Sequence, residues 1–453
     1  MSDELIVSVS GIRGVVGRGL TVEATARFAA AYGGTVGPKT VLVSRDGRPS
    51  GDMLRHAVIA GLLGAGCSVE DIGITPTPTC GFAVRALKAA GAIQITASHN
   101  PAPWNGLKMF GADGAVLPAD RGAEVRGRYE SGDFPRAAWD GIGTTRVPPD
   151  VLGEHRQAVL DLVSVARVAG QRFRVFLDAN AGAGGPLGVQ LLSDLGCEVV
   201  QHECEPTGRF VHEPEPTPAH LTDVAPWVKQ SGSAVGFVLD PDADRLALID
   251  ENGVCVSEEA TLALAVQYRL NQEAGPIVLN LSTSRMAEDV ARAAGCICLR
   301  SAVGEANVVA RMRAEGAVIG GEGNGGVIDP RIGWVRDPFV GMAFILSLMA
   351  ETGRPFSELV SRLPRYAMLK TKFEVPRAKL AAAFDAIECH WPDARANRDD
   401  GLRLDTRDWW LHVRGSNTEP VVRVIAEAPT DADVKRLCDE AGSLVGPVSN
   451  RPT

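Results

Sequence analysis

Short apolar runs alternate along the chain with polar or glycine-rich turns and with segments in which apolar residues recur every three or four positions. The runs have the length of buried strands, and the three-to-four spacing marks one face of a helix. Their alternation predicts α/β architecture with functional loops at the carboxyl ends of strands. The strands predicted to lead into such loops span residues 41–44, 92–96, 173–177, 234–239 and 277–281.

The pattern changes after Pro364, where it becomes typical of a smaller α+β domain. The elements predicted there are strands near 368–375, 409–413 and 421–426 and a helix from Ala378. At 453 residues the chain is too long for a single core, so several domains are expected. The predicted seams lie at residues 148–149, 251–253 and 362–365.

Composition and charge narrow the class of protein. The net charge of −9 argues against broad contact with nucleic-acid phosphates. The longest apolar stretch, residues 339–350, is shorter than the ~20 residues of a membrane span and predicts a core helix. None of the nine cysteines forms a Cys-x-x-Cys pair, so no zinc or dithiol site is expected. We therefore expect a cytoplasmic protein that binds neither nucleic acid nor membrane.

The first candidate for chemistry is the serine of the loop 96–101, directly after a predicted strand. A serine at this position, followed by His99, Asn100 and Pro101, is held in an exposed loop where its hydroxyl can meet a substrate. For the Asn-Pro dipeptide alone, an ordinary turn before a proline is the favoured interpretation. The hypothesis that Ser98 has a chemical role therefore depends on the motifs that follow it in the chain.

The second candidate is a triplet of carboxylates, Asp240, Asp242 and Asp244, at alternate positions after a predicted strand. Alternation brings their oxygens onto one side, where a hard cation such as Mg²⁺ finds its preferred ligands. An EF-hand calcium loop is disfavoured, because Arg245 stands where that loop needs glycine and strands flank the segment. A solvated acidic turn is the other alternative.

The third candidate is the glycine-rich segment 320–327. Its glycines allow close backbone approach to a ligand, while Glu322 and Asn324 offer groups suited to vicinal sugar hydroxyls. It does not fit the dinucleotide-binding pattern, because no acidic residue stands where that pattern places one. A plain flexible loop is the alternative.

The fourth candidate is the segment 414–420, between two strands of the last domain. An arginine fork, hydroxyls, an amide and glycine-permitted backbone amides make a compact phosphate cradle. A hairpin turn explains the glycine, serine and asparagine equally well, but it explains the arginine less well. The residues of this candidate cradle are Arg414, Ser416, Asn417 and Thr418.

Five segments, in this order and spacing, resemble the motifs of the α-D-phosphohexomutase family of phosphoglucomutases, phosphomannomutases and phosphoglucosamine mutases. They are residues 11–14, 96–101, 240–245, 321–327 and 414–420. The resemblance implies three similar mixed α/β domains plus a smaller α+β C-terminal domain around a central cleft. By this resemblance the domains carry the phosphoserine, metal, sugar and phosphate loops and span residues 1–149, 150–251, 252–364 and 365–453, respectively.

The resemblance also implies a reaction. Ser98 would be a phosphoserine that donates its phosphoryl group to a hexose phosphate, forms hexose 1,6-bisphosphate, and recovers the other phosphate after the intermediate reorients. Mg²⁺ would be held by the three aspartates together with Ser98. Arg13, His99 and Lys108 would be catalytic. The residues implied in substrate binding are Arg245 at the reacting phosphate, Glu322 and Asn324 at the sugar, and Arg414, Ser416, Asn417 and Thr418 at the distal phosphate.

The sugar loop departs from that of many relatives, which carry Ser and His where this chain has Asn324 and Gly326. The proton must then be handled by His99, Lys108 or water. The loop resembles the form common in archaeal-type members and favours glucosamine phosphate as substrate. A dual-specificity phosphoglucomutase/phosphomannomutase is the alternative within enzymes, and a non-catalytic sugar-phosphate-binding paralogue is the alternative outside them. The expected partners are small-molecule sugar phosphates, and monomer and homodimer both stay open.

Overall fold

A computed structural model of the protein describes residues 5–8, 11–376, 379–415, 421–445 and 451–452. Four β-sheets follow one another along the chain, with helices packed on them. The first sheet has seven strands in the order β1-β2-β6-β5-β3-β4-β7. Its strands are β1 (Ile6–Ser8), β2 (Gly11–Val15), β3 (Thr40–Arg45), β4 (Ser68–Ile74), β5 (Gly91–Ile95), β6 (Trp104–Gly111) and β7 (Thr145–Arg146). The helices of this part are α1 (Val22–Val36), α2 (Gly51–Gly64), α3 (Thr77–Ala86) and α4 (Ala119–Ser131).

The second and third sheets have four strands each. The second contains β8 (Arg174–Asp178), β9 (Glu198–His202), β10 (Val235–Leu239) and β11 (Leu246–Asp250). Around it lie α5 (Val151–Leu160), α6 (Val165–Gln171), α7 (Gly185–Asp194) and α8 (Ala225–Gln230). The third contains β12 (Ile277–Asn280), β13 (Cys298–Ser301), β14 (Ile319–Glu322) and β15 (Gly326–Ile328). Its helices are α9 (Glu258–Gln272), α10 (Met286–Ala293), α11 (Glu305–Glu315), α12 (Pro338–Thr352) and α13 (Phe356–Ser361).

One four-strand arrangement occurs in each of these three sheets. The strands lie in the orders β4-β3-β5-β6, β9-β8-β10-β11 and β13-β12-β14-β15. In each set the first three strands are parallel and the last is antiparallel. The loop that enters the antiparallel strand contains Ser98 in the first sheet, the aspartate triplet in the second and Asn324 in the third. The same connection therefore presents three of the four candidate motifs.

The fourth sheet belongs to the α+β part and has the order β17-β18-β19-β20-β16-β21. It contains β16 (Ala367–Glu374), β17 (Arg395–Asn397), β18 (Leu402–Asp405), β19 (Trp410–Gly415), β20 (Val421–Ala428) and β21 (Arg451–Pro452), with α14 (Leu380–His390) and α15 (Asp431–Val445). Ser282 Oγ lies 2.8 Å from Nδ1 of His412 on β19, and Arg403 on β18 donates to the Leu281 carbonyl. These bonds join the fourth sheet to the third.

The predicted fold class is confirmed, and most predicted strands agree with the structure to within one or two residues. The apolar stretch 339–350 lies in α12, where Asp337 caps the helix by accepting from the Phe339 amide at 2.9 Å. Segment 320–327 is a β-hairpin rather than a flexible loop. The predicted helix start at Ala378 lies outside the described residues, and α14 begins at Leu380. Among the described residues, no helix is long and apolar enough to cross a membrane.

Candidate active site

Ser98 lies between β5 and β6 with a backbone φ of 50°, in the left-handed region that serine rarely adopts. Its amide donates to Thr96 Oγ1 at 2.8 Å. Its hydroxyl lies 3.2 Å from His99 Nδ1 and donates to Asp240 Oδ2 at 3.2 Å. The fold thus brings the serine loop against the aspartate triplet of the second sheet.

Arg48, which follows β3, holds the backbone of the serine loop. Its guanidinium donates to the carbonyls of Ser98 at 2.7 Å, Asn100 at 2.6 Å, Pro101 at 2.9 Å and Trp104 at 3.0 Å. Its Nε lies 3.1 Å from Asp46 Oδ2, and the Arg48 side chain is fully buried. Five directed donors on one planar group fix a loop that has a strained residue at its centre.

The three aspartates lie between β10 and β11 and are fully buried. One oxygen of each accepts from a nearby donor. Asp240 Oδ1 accepts from the amides of Asp244 and Arg245, both at 3.0 Å. The remaining donors are Thr77 Oγ1 at 2.7 Å and Lys108 Nζ at 2.9 Å to Asp242 Oδ2, and Lys108 Nζ at 2.9 Å and Arg336 Nη2 at 2.6 Å to Asp244 Oδ2.

The other oxygen of each aspartate receives no hydrogen bond from a backbone amide, lysine or arginine among the described residues. Oδ1 of Asp242 and of Asp244 is buried without a hydrogen-bond partner among the described residues, and Asp240 Oδ2 accepts the Ser98 hydroxyl. One carboxylate oxygen from each residue lies within 4.8 Å of the others. Burial and the two neighbouring carboxylates raise the pKa of Asp240 well above its ordinary value. Crowded, unmatched carboxylate oxygens are a donor set that fits Mg²⁺.

Lys108 and His99, which both lie close to the aspartate triplet, carry different charges at neutral pH. Burial opposes the charge of Lys108, but Asp242 and Asp244 outweigh it and raise the pKa of the lysine. Burial and the Arg245 guanidinium lower the pKa of His99 to about 4. Lys108 is therefore a fixed cation at neutral pH, whereas His99 is neutral.

Two predicted cations lie on the cleft side of this site. Arg13 on β2 donates to Asn100 Oδ1 at 3.4 Å. Arg245 donates from Nη1 to Glu215 Oε1 at 3.0 Å, and the same carboxylate oxygen lies 3.9 Å from His99 Nε2. Both arginines line the cleft described below, where they can contact a phosphate.

The sugar-loop candidate forms the tip of the β14–β15 hairpin. Glu322 is buried, and its Oε1 accepts from Asn280 Nδ2 at 2.8 Å and from the Gly304 amide at 3.1 Å. Asn324 lines the cleft, and its buried Oδ1 has no hydrogen-bond partner among the described residues. At Gly323 an added Cβ would lie 2.1 Å from both carboxyl oxygens of Glu259. The hairpin is therefore rigidly packed and presents an unmatched acceptor.

The phosphate-cradle candidate is described only in part. Arg414 lies near the end of β19 with its Nε 3.0 Å from Asp400 Oδ2. Ser416, Asn417 and Thr418 lie outside the described residues. The cradle as a whole therefore stays a prediction.

A cleft of about 900 Å³ lies between the four sheets, which is ample for a small sugar carrying two phosphates. Side chains from every sheet region line it. Those that carry or accept charge are Arg13, His99, Glu215, His220, Arg245, Glu258, Lys370, Lys372 and Arg423. Lys372 and Arg423 are directly opposite on the paired strands β16 and β20. The excess of cations suits an anionic ligand.

Models of four known domains match the chain in order. They are the phosphoglucomutase/phosphomannomutase alpha/beta/alpha domains I, II and III, over residues 5–136, 154–253 and 257–366, and the C-terminal domain over residues 371–442. The chain belongs to the phosphoglucomutase/phosphomannomutase family. It is therefore an isomerase, a phosphotransferase mutase, and the non-catalytic alternative is set aside.

Named relatives of this phosphohexomutase cover almost its whole length. A probable phosphoglucosamine mutase of Methanopyrus kandleri is 35% identical over 441 residues, which is 96% of each chain. A phosphoglucomutase/phosphomannomutase of Thermococcus kodakarensis is 36% identical over 438 residues, 95% of this chain and 96% of the relative. The crystal structure of a family protein from Burkholderia thailandensis has a TM-score of 0.87 at 29% identity and covers 99% of both chains.

Three residues that sequence reasoning did not single out belong to the site of this phosphohexomutase. Thr77 bonds the metal loop from the start of α3, with no signal in the sequence. Glu215 accepts from Arg245 and lies in the proline-rich segment 214–218. Arg336 precedes the cap of α12 and contacts both the metal loop and the hairpin. Their partners lie far away in sequence, so only the fold reveals them.

Proposed function

We propose that this mutase interconverts hexose 6-phosphate and hexose 1-phosphate through a phosphorylated Ser98 and a hexose 1,6-bisphosphate intermediate. The observation that carries the proposal is the contact of the Ser98 hydroxyl with Asp240, 142 positions away, at the edge of three buried carboxylates. An unmodified serine hydroxyl does not require three buried carboxylates beside it. A phosphorylated one would share a cation with the carboxylates.

Asp240, Asp242 and Asp244 would hold the metal through one oxygen each: Oδ1 of Asp242 and of Asp244, which have no hydrogen-bond partner among the described residues, and Oδ2 of Asp240, which faces Ser98. When bound, Mg²⁺ supplies Lewis-acid stabilisation of charge on the transferring phosphoryl group. Lys108 orients two of these carboxylates by bonding the second oxygen of each. Its fixed charge also offsets the anionic group close by.

Phosphoryl transfer needs the attacking and leaving oxygens in line. The bond from phosphorus to Ser98 Oγ breaks as a bond from phosphorus to the sugar oxygen forms, while the sugar hydroxyl gives up one proton and the serine oxygen takes one up. His99 Nδ1, 3.2 Å from that oxygen, is within reach to exchange the proton with it. Arg13 and Arg245 contact the phosphate from the cleft side.

Sugar hydroxyls are held by the hairpin, where Asn324 Oδ1 offers an open acceptor beside the fixed carboxylate of Glu322. The second phosphate is held by Arg414 with Ser416, Asn417 and Thr418. A site with a phosphate contact at each end and a diol contact between them accepts the intermediate in both orientations. The four loops belong to domains proposed to span residues 1–149, 150–251, 252–364 and 365–453.

Glucosamine phosphate is the proposed preferred substrate, and the Methanopyrus kandleri relative bears the name of a phosphoglucosamine mutase. The alternative is a dual specificity for glucose and mannose phosphates, as in the name of the Thermococcus kodakarensis relative. The reaction is proposed to take place in the cytoplasm.

The test measures turnover of glucosamine, glucose and mannose phosphates by wild-type enzyme, Ser98→Ala and the control Ser131→Ala, in which an exposed serine of α4 is replaced. Wild type and control should carry an ~80 Da adduct in their intact mass, and Ser98→Ala should lose both adduct and activity. Equal kcat/KM on all three sugars would contradict the glucosamine preference. Full activity of Ser98→Ala would contradict the mechanism.

A further inference from the structure

Arg336 is a nearly buried cation between two functional loops. Its guanidinium donates from Nη2 to Asp244 Oδ2 at 2.6 Å, from Nη1 to Glu322 Oε2 at 2.9 Å and from Nε to Glu305 Oε2 at 2.7 Å. The side chain is 11% exposed, and those of its three partners are at most 8% exposed. One planar group therefore bonds three carboxylates from the metal loop, the hairpin and α11.

The backbone around Arg336 is fixed as firmly as its side chain. The amide of the next residue, Asp337, donates to the Val327 carbonyl of β15 at 2.7 Å, and the Asp337 carboxylate caps α12. The same carboxylate lies 2.8 Å from Nε2 of the buried His155. The guanidinium is thus carried by a segment tied to the hairpin and to the start of a buried helix.

The hairpin leaves room for this arginine because residue 326 is glycine. A Cβ at Gly326 would lie 2.3 Å from Cδ and 2.8 Å from Cγ of Arg336. Non-bonded carbon atoms do not approach so closely, so any side chain at position 326 must displace the arginine. Arg336 can therefore occupy its observed position only because residue 326 has no side chain.

We propose that Arg336 is a positioning residue for the mutase reaction, which fixes the sugar-binding hairpin relative to the metal-binding loop through Glu322 and Asp244. This inference rests on the proposed function. The phosphoryl group is held at the metal loop and the accepting hydroxyl at the hairpin, so the distance between the two loops sets the distance between reacting atoms. A misplacement of about 1 Å is enough to lower a rate about 100-fold.

The geometry of the guanidinium, rather than its charge alone, performs this function. A lysine ammonium is a point charge on a flexible stem and cannot reproduce three coplanar bonds. Arg336→Lys is therefore expected to lower kcat by about 100-fold despite the retained charge. Arg336→Ala should lower it at least as much.

A double-variant cycle separates positioning from general damage. Gly326→Ala should lower kcat in the wild-type background, because the new Cβ displaces the guanidinium. It should have less than a threefold effect in the Arg336→Ala background, where the clashing atoms are gone. A merely structural role of Arg336 predicts that these variants lower the thermal midpoint while kcat of the folded protein stays within threefold of wild type.

The matched control is Arg331, which bonds the buried Asp329 at 2.6 Å, away from both loops. Arg331→Ala also leaves a buried aspartate short of a donor, yet kcat should stay within threefold of wild type. The thermal midpoints of all variants are recorded alongside kcat and KM.

Wild-type kcat in Arg336→Lys, or an equal loss from Gly326→Ala in both backgrounds, would overturn the inference. If Arg336→Ala does not fold, Arg336→Lys alone decides. A wild-type enzyme that turns over no hexose phosphate would instead contradict the proposed function, so the two failures are distinguishable.

Discussion

Replacing Arg48 by methionine should both destabilise the first domain and slow phosphoryl transfer. The substitution removes the buried cation that pairs with Asp46, itself fully buried, and the donors to four loop carbonyls. Breaking a buried ion pair by removing one partner typically costs about 3–5 kcal/mol. Because domains are stable by only about 5–15 kcal/mol, the first urea transition should move to clearly lower concentration.

The effect on catalysis is separable from the effect on stability. Without Arg48 the carbonyls of Ser98 and Asn100 lose the guanidinium that holds them. Because the φ of 50° at Ser98 is strained, the loop relaxes and kcat falls about 100-fold. Adding Asp46→Asn removes the uncompensated charge and should restore part of the stability but not kcat. The control Arg45→Met changes the arginine at the end of β3, whose Nε has no hydrogen-bond partner among the described residues. Wild-type kcat in folded Arg48→Met would refute this reasoning.

Two further predictions concern the second sheet. Asp242→Asn should lower kcat by about 10²–10³-fold and raise the Mg²⁺ concentration for half-maximal activity; unchanged Mg²⁺ dependence would exclude the triplet as the metal site. Asp178 accepts from His212 Nε2 at 3.0 Å, and its Oδ2 lies 3.3 Å from His202 Nδ1. Burial opposes the charge of His212, but this carboxylate outweighs it and raises the pKa of His212. The same carboxylate raises the pKa of His202. The pairing therefore stabilises the fold fully below the ordinary histidine pKa of about 6.5, and the thermal midpoint should fall as pH rises through the raised values. Asp178→Asn should flatten that decline, and a parallel profile would contradict the assignment.

The sequence predicted those parts of the site that follow directly from the ends of strands. Ser98 and the aspartate triplet were found because a polar group after a buried strand lies at a sheet edge, whatever the rest of the fold does. The third loop was predicted to bind sugar hydroxyls, but its hairpin pairing was not predicted. Its strands are short and rich in glycine, so neither period nor propensity marks them.

The residues that hold the loops in place could not be predicted in the same way. Arg48 bonds the Ser98 carbonyl across 50 positions, and Arg336 bonds Asp244 across 92. Arginine on a polar turn is usually a solvated surface residue, and local sequence does not distinguish it from a buried one. Only the fold shows which arginines are buried, because it brings three equivalent strand connections to one cleft.

The central claim is that Ser98 carries the phosphoryl group between substrates. Its most direct test mixes phosphorylated enzyme with one equivalent of glucosamine 6-phosphate and follows the intact protein mass with time. The account predicts that the ~80 Da adduct leaves Ser98 as bisphosphate appears, and returns as glucosamine 1-phosphate is released. Product formation while the adduct on Ser98 never exchanges would contradict it.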